Sequence, residues 1–214
     1  LCDRRQRQMC IRDRINLVVD IDHVSKPTYT PAFVEICDPM KRMGGDGVTL
    51  LACKVKYRGN TSIRYDKKSF TIQVVDGQGE ELNANLFGLR RDKTWVLDAM
   101  AVDRIRMRNR VNFDVWNAMS RVPYDTELDR RNGTVGLFVE LFINGEYHGL
   151  YCFTDKVNRK LLDLKKPRVD DKGQPTIRGV LYKGREWSSA TRLRGYETDT
   201  TWQKKVERMG TRIS

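Results

Sequence analysis

The sequence has very little histidine and no long apolar segment. Its two histidines, His23 and His148, have no cysteine or second histidine at the spacing of a metal site, and neither an HExxH nor a GxSxG motif occurs. Zinc sites and hydrolase triads are therefore poorly supported, and no metal ligands are predicted. No apolar run approaches the roughly 18 residues of a membrane-spanning helix, so no membrane span is predicted.

Paired cysteines are also absent. Two of the five cysteines lie in the first fourteen residues, LCDRRQRQMCIRDR, which lack apolar periodicity and the features of a signal peptide. The string MCIRDR resembles translated adaptor sequence, and we predict that residues 1–14 are a non-native leader. Cys37, Cys53 and Cys152 lie far apart in apolar, strand-like runs, which favours buried free thiols over metal ligands or disulfides.

Positive charge, in contrast, is in excess. The 40 Lys and Arg against 28 Asp and Glu give a net charge of +12 over 214 residues, which suits an anionic partner such as nucleic acid, a nucleotide, an acidic protein or an anionic lipid. A surface that is simply basic is equally compatible with this charge. The hydrophobic content of 39% is enough for a core, and the length suits one domain or slightly more.

Apolar and polar residues alternate in a way that predicts an antiparallel β-meander over residues 15–76. A hairpin over residues 137–153 is predicted from Asn144-Gly145 between two apolar runs, with a type I′ turn. A helix is predicted to start near Asp103, a plausible N-cap, and to continue to about residue 119. This order of elements predicts an α+β fold, in which a β-rich layer carries one packed helix.

Phosphate chemistry is best supported at the stretch KYRGNTSIRYDKKSF, residues 56–70. Binding of phosphoryl groups needs cations and backbone N–H groups at a loop, and Arg58, a glycine and two hydroxyl residues stand together here. Alternation places Lys68 on the apolar face of the next strand, where an ammonium group needs an anion such as a phosphate or the carboxylate of Glu140. The residues alone leave open a hairpin with a basic rim and a snorkelling lysine.

Several segments, in order, resemble the CotH kinase family of spore-coat-protein-H-like atypical protein kinases. They are INLVVDID, KPTYTPAFVEI, VKYRGNTS, KKSFTIQV, KTWVLDAMAVDRIRMRNR, FVELFINGEYHGLY and LYKG. The resemblance spans roughly residues 15–205 and implies a divergent protein-kinase-like fold, mostly an N-lobe antiparallel sheet with one packed helix and a truncated C-lobe. It also implies ATP-dependent phosphorylation of protein Ser or Thr, with ATP and Mg²⁺ as cofactors.

The resemblance further implies a nucleotide-binding set, with Lys68 at the phosphates and the segment after the hairpin passing the adenine. The implied set is Arg58, Gly59, Asn60, Ser62, Lys68, Glu140, Thr154 and Asp155. In the family, the Mg²⁺-binding aspartate lies in a Trp-Asp-x-Asp type segment and the catalytic aspartate also lies late in the domain. We expect both downstream of Ser214, so catalytic residues are unknown, residues 206–214 are expected to be a truncated tail, and the chain alone is expected to be inactive.

Two other functions compete with the kinase. One is a non-catalytic, kinase-like scaffold of a surface or coat, and the other is a basic β-domain that binds nucleic acid. The second ranks last because Leu137, Phe138, Leu141 and Phe142 fill both faces of the predicted hairpin, as core residues do, without interleaved cations. The predicted partners are ATP and a protein substrate, and not nucleic acid. Relatives of this kind are often exported or associated with the cell or spore surface, but the sequence itself assigns no compartment.

Overall fold

A computed structural model of the chain describes residues 13–120, 133–158, 160–162, 164, 168–169, 173 and 175–176. The chain divides into two compact units, Leu1–Leu161 and Leu162–Ser214. In the second unit, the described residues include a two-stranded antiparallel pair formed by β8 (Arg168–Val169) and β9 (Pro175–Thr176). The first unit holds the remaining described strands and the helix.

Seven strands and one α-helix form the described part of the first unit. The strands are β1 (Arg14–Val19), β2 (Thr30–Cys37), β3 (Val48–Arg58), β4 (Ser69–Val74), β5 (Thr94–Asp98), β6 (Gly136–Ile143) and β7 (Glu146–Asp155). The helix α1 is Arg108–Met119, and two 3₁₀ turns occupy Ile21–His23 and Thr61–Arg64. The predicted meander strands are confirmed, with ends that differ by a few residues.

The seven strands close into a barrel in the order β1-β2-β3-β4-β5-β7-β6. The closing pair is β1 with β6, which run parallel, with Leu17 opposite Ile143; the other neighbouring pairs are antiparallel. The predicted kinase-like arrangement, an N-lobe sheet with one packed helix, is therefore wrong. The reason is physical: β1 and β6 are separated by more than a hundred residues, and their pairing, which removes both sheet edges, leaves no local sequence signal.

The core lies inside the barrel and is built from alternate residues of every strand. The largest fully buried side chains include Trp95, Tyr151, Phe70 and Phe153. Trp95 stacks on Phe153 with ring centroids 5.3 Å apart, and each side chain of this size contributes about 1.5–3 kcal/mol by leaving water. The alternation read from the sequence is thus real, because each strand has one face in this core.

Helix α1 starts later than predicted and is not packed as a core helix. Met100 and Arg106 have positive φ angles of 50° and 57°, so the chain turns twice before Arg108, where the helix begins. Val111 and Val115 are 47% and 49% exposed, and all residues of α1 are exposed or half-buried. The prediction of a helix packed on the sheet is wrong because its apolar residues are not in the barrel core.

The hairpin prediction is confirmed in detail. Asn144 and Gly145 connect β6 and β7 with φ angles of 53° and 84°, the left-handed geometry that a type I′ turn requires. The Asn144 side chain also exchanges two hydrogen bonds of 2.9 Å with the backbone of Val19, at the end of β1. The turn therefore helps to hold the parallel closing pair of the barrel in register.

The free-thiol prediction is also confirmed for the three described cysteines. Cys53 and Cys152 are buried and Cys37 is half-buried, all as free thiols. Burial raises the pKa of Cys53 to about 12. Within the described part of the chain, none of the helices is long and apolar enough to cross a membrane.

Candidate functional site

A cavity of about 400 Å³ lies where β3, β4 and β5 meet the start of α1. Arg58 ends β3, Ser69 begins β4 directly opposite it, and Asp98 ends β5. The loop between β5 and α1 adds Asp103, and α1 adds Arg108. Antiparallel pairing explains this convergence, because the end of one strand lies beside the beginning of the next.

The turn after β3 forms one side of the cavity. Gly59 has a φ of +118°, and a Cβ atom there would lie 2.2 Å from Ser62 Oγ. Only glycine fits this position, since it tolerates both the left-handed backbone and the close approach of the serine. Arg58, Gly59 and Ser62, three residues of the predicted nucleotide set, thus line one cavity. Asn60 sits at the start of the 3₁₀ turn between them.

Lys68 lies next to this turn, and its ammonium group binds carbonyl oxygens. Its Nζ donates to the carbonyl of Ile63 at 2.8 Å and to that of Tyr65 at 2.7 Å. These bonds tie the start of β4 to the 3₁₀ turn. The role of Lys68 at a phosphate stays a prediction, and the structure adds a second, structural role for the same amine.

Lys67 is a candidate that the sequence argument missed. Its Nζ donates to the carbonyl of Leu150 and lies 4.3 Å from the centroid of the Tyr151 ring. Burial, helped by the nearby charge of Arg106, lowers the pKa of Lys67 to about 8, while Asp98 opposes this shift. The signal in the sequence is alternation, which places Lys67 on the same face as Ser69, Thr71 and Gln73 of β4.

Asp98 joins three elements at the floor of the cavity. One carboxylate oxygen accepts hydrogen bonds from Ser69 Oγ at 3.3 Å and from the Met100 N–H at 3.0 Å. The other accepts from Asn109 Nδ2 on α1 at 3.1 Å. Ser69 Oγ in turn accepts the N–H of Ala99 at 2.9 Å. Asp98 therefore fixes the ends of β4 and β5 against the helix.

Asp103 organises the loop that leads into α1. Its carboxylate accepts the backbone N–H groups of Ile105, Met107 and Arg108 at 2.9–3.1 Å. The Arg108 N–H bond is the main reason that the pKa of Asp103 is lowered, and the Arg108 guanidinium at 3.3 Å adds to it. The predicted capping role of Asp103 is thus present in modified form, because the residue directly before the helix is Met107.

Among the described residues that line this cavity, Asn60 and Lys68 of the predicted set are absent, although both lie beside it in the chain. The remaining three predicted nucleotide residues lie elsewhere. Glu140 pairs with Arg14 at 3.3 Å on the outside of β6. Thr154 Oγ donates to the carbonyl of Val135 at 2.9 Å. Asp155 is buried and accepts from Arg90 Nε at 3.0 Å. The structure therefore brings together the turn residues of the predicted set and leaves these three elsewhere.

Arg90 is the centre of a buried charge network at the end of β7. It lies 2.6 Å from Asp92 and 3.0 Å from Asp155, and Asn158 Nδ2 donates to Asp92 at 2.9 Å. Burial alone would raise the pKa of Asp92. The hydrogen bonds from Asn158 and from the Lys93 N–H, together with the positive charge of Arg90, bring this pKa below its usual value. The network anchors the segment before β5 to the end of β7.

Next to the cavity, part of the outer face of β4, β5 and β7 is buried although it is largely polar. We call this face the buried wall. Its residues alternate with the barrel core and are at most 8% exposed: Ser69, Thr71, Thr94, Val96, Cys152 and Thr154. Thr71, Val96 and Thr154 form one row across the three strands. The cavity thus opens at the edge of a water-excluded surface, as ligand sites often do.

Comparison with known proteins assigns the chain to a family. A search of curated proteins finds no match. The family model described as CotH kinase protein matches residues 55–212, a range that contains the turn after β3, the cavity, α1 and the hairpin. This match covers most of the 214 residues, and the chain therefore belongs to the CotH kinase family.

Proposed function

We propose that this protein is an ATP-dependent protein Ser/Thr kinase of the CotH type, and that its cavity receives the phosphates of the nucleotide. Membership of the family indicates a kinase-like function. The observation that carries the finer proposal is the meeting of Arg58, the Gly59–Ser62 turn and Arg108 in one cavity of about 400 Å³. A guanidinium group is suited to phosphate because its N–H donors form a planar fork.

The carboxylates of the cavity are compatible with an anionic ligand. Asp98 and Asp103 accept the internal hydrogen bonds described above, so part of their negative charge is compensated inside the protein. Arg58 ends β3 at the cavity and forms no ion pair with the described residues. A phosphate would therefore meet the guanidinium group of Arg58 and the hydroxyl group of Ser62 at the turn.

Mg²⁺ is part of the proposal because it binds phosphate oxygens and keeps several waters. When bound, ATP would supply the phosphoryl group for transfer to a protein hydroxyl. The residues of this chain would bind and orient the phosphates, with Arg58 and Arg108 in the cavity and Lys67 or Lys68, beside it, as a further cation. The predicted contributions of Glu140, Thr154 and Asp155 stay predictions.

The test is a calorimetric titration of the whole chain with ATP, with and without Mg²⁺. We expect Arg58→Gln to weaken binding by about tenfold, the loss of one charge-assisted contact. Lys67→Met and Lys68→Met identify which amine meets the nucleotide, and Lys26→Met, at an exposed position, is the matched control. Circular dichroism in the near-ultraviolet checks that each variant is folded.

A folded chain that binds no ATP, with or without Mg²⁺, would overturn the proposal. The non-catalytic scaffold would then be the better interpretation. ATP binding that is equally strong in Arg58→Gln and in both lysine variants would place the nucleotide somewhere else on the protein.

A further inference from the structure

A different part of the barrel exposes apolar side chains to water. On the outer face of β1, β2 and β3, Val18 is 46% exposed, Phe33 54%, Val48 50% and Leu50 65%. We call these four residues the apolar wall. Strands with one face in the core normally carry polar residues on the other face. A contiguous exposed apolar patch therefore marks an interaction surface.

Part of the apolar wall is a groove rather than a flat surface. A cavity of about 670 Å³ lies over Val18, Phe33 and Ala52, which stand side by side in the register of the three strands. Two loops flank it, one after β1 at Asp20 and one after β4 at Asp76. The groove is wide enough for a bulky side chain of a bound segment.

The charges around this groove are acidic, although the chain as a whole carries +12. Asp20 and Asp76 line it, and Glu35 is paired with Leu50 across the strands on the same outer face. Among the described residues that line the groove, one is a cation: Lys54 is half-buried and donates to the carbonyl of Gly79 at 2.8 Å. A ligand therefore meets a surplus of carboxylates there.

We propose that the groove and the apolar wall bind a segment of a partner protein in which a bulky apolar side chain is flanked by Lys or Arg. The apolar side chain covers Phe33 and Val18, and the cations meet the carboxylates of Asp20, Asp76 and Glu35. Such charge complementarity determines which partners associate and how fast. The site is separate from the proposed nucleotide cavity, so it does not depend on the proposed function.

Charge also argues against a second copy of this chain as the occupant. A two-fold symmetric contact places the same patch on both subunits, so the carboxylates of Asp20, Glu35 and Asp76 would face a second patch of the same negative charge. Nucleic acid and anionic lipid are disfavoured by the same carboxylates.

The test begins with an immobilised peptide library in which one bulky apolar residue is flanked by Lys or Arg, with matched peptides carrying Glu instead. The best peptide is then titrated by fluorescence anisotropy against the whole chain. We expect Phe33→Ser to weaken binding by at least about tenfold, as at an interface hot spot. The double change Asp20→Asn and Glu35→Gln, which keeps the shape of the groove, is expected to weaken it about threefold or more and to reduce its dependence on salt.

Val157→Ser is the matched control, since Val157 is also exposed, at 60%, but lies outside the groove. Equal binding of the acidic peptides, or unchanged binding in Phe33→Ser, would overturn the proposal. So would a library without any selective binder. Self-association in sedimentation velocity that Phe33→Ser abolishes, without peptide binding, would overturn it too and assign the face to a second copy.

Discussion

The buried wall and the apolar wall both lie on the outside of one barrel. Outer positions of a barrel are expected to carry polar residues in contact with water, and the two walls depart from this expectation in opposite ways. The six residues of the buried wall are largely polar and are at most 8% exposed, whereas the four residues of the apolar wall are 46–65% exposed. Alternation along a strand separates its two faces but does not say which outer face is covered. Buried polar residues and exposed apolar patches are both exceptions to the usual placement of apolar residues inside and polar residues outside, and both are therefore informative.

Two of the buried hydroxyl residues of the buried wall, Thr154 and Ser69, are hydrogen-bonded. Thr154 Oγ binds the carbonyl of Val135, and Ser69 Oγ accepts the Ala99 N–H while it donates to Asp98. A buried hydroxyl with partners costs little, and the same hydroxyl without them costs about 1–3 kcal/mol. The bond from Ser69 also holds Asp98 in position at the cavity, so the buried wall supports the candidate site directly.

The largest expected effect comes from the same substitution on each wall. Val96→Asp places a carboxylate on the buried wall, where the valine is 2% exposed, and Val18→Asp places one where the valine is 46% exposed. We expect Val96→Asp to lower the free energy of unfolding by about 4 kcal/mol or to prevent folding, because an unpaired charge would be buried. Val18→Asp should change it by less than about 1 kcal/mol.

Urea denaturation followed by tryptophan fluorescence measures both variants. Equal decreases in the free energy of unfolding for Val96→Asp and Val18→Asp would show that the two walls do not differ in their exposure to water.

A somewhat smaller effect is expected at the charge network beside the buried wall. Arg90→Met removes the cation that lies closest to two buried carboxylates, those of Asp92 and Asp155, which are 1% and 2% exposed. Removing one partner of a buried ion pair costs about 3 kcal/mol. Arg14→Met is the control, because the Arg14 side chain in its pair with Glu140 is 60% exposed and such pairs contribute about 0–1 kcal/mol. Similar midpoints in urea for the two variants would contradict this assignment.

The smallest expected effect is the pH dependence that Lys67 adds. Its pKa in the folded protein is about 8, against 10.5 ordinarily. Between these two values the unfolded chain binds more protons than the folded one, so Lys67 makes stability rise with pH in this window. We expect Lys67→Met to flatten the rise in the urea midpoint from pH 8 upwards. An identical slope in the wild type and the variant would contradict the lowered pKa.

A direct measurement of the same amine is competitive acetylation with peptide mass spectrometry. In the folded protein the rate at Lys67 should reach half its maximum near pH 8, and in urea this midpoint should move towards the ordinary value of 10.5.

Local signals in the sequence predicted the local structure well. Asn144-Gly145 specifies its hairpin because the turn needs two consecutive residues with positive φ, and few residue pairs adopt this conformation easily. Alternation of apolar and polar residues located the strands of the meander. The strand Thr94–Asp98 was missed. Its residues Thr94 to Leu97 are buried on both sides, so it shows no alternation of apolar and polar residues.

The candidate site was only half accessible from the sequence. Arg58, Gly59 and Ser62 stand within one turn, so their proximity follows from the chain itself. Asp98 and Arg108 reach the same cavity through strand pairing and through the loop that Asp103 organises, and neither was singled out. Which of Lys67 and Lys68 meets a phosphate depends on the partners of each amine in the folded protein. The two neighbouring lysines have different partners, and residue type alone does not reveal this difference.

By itself, the sequence determined the family, the strands of the meander, the hairpin and the free thiols, because each depends on residues close together or on an ordered set of motifs. The tertiary structure alone decided that the sheet closes, which outer face is buried, and which side chains share the cavity. These depend on contacts between distant segments, such as β1 with β6, whose free energy comes from burial and pairing that no short stretch of sequence contains.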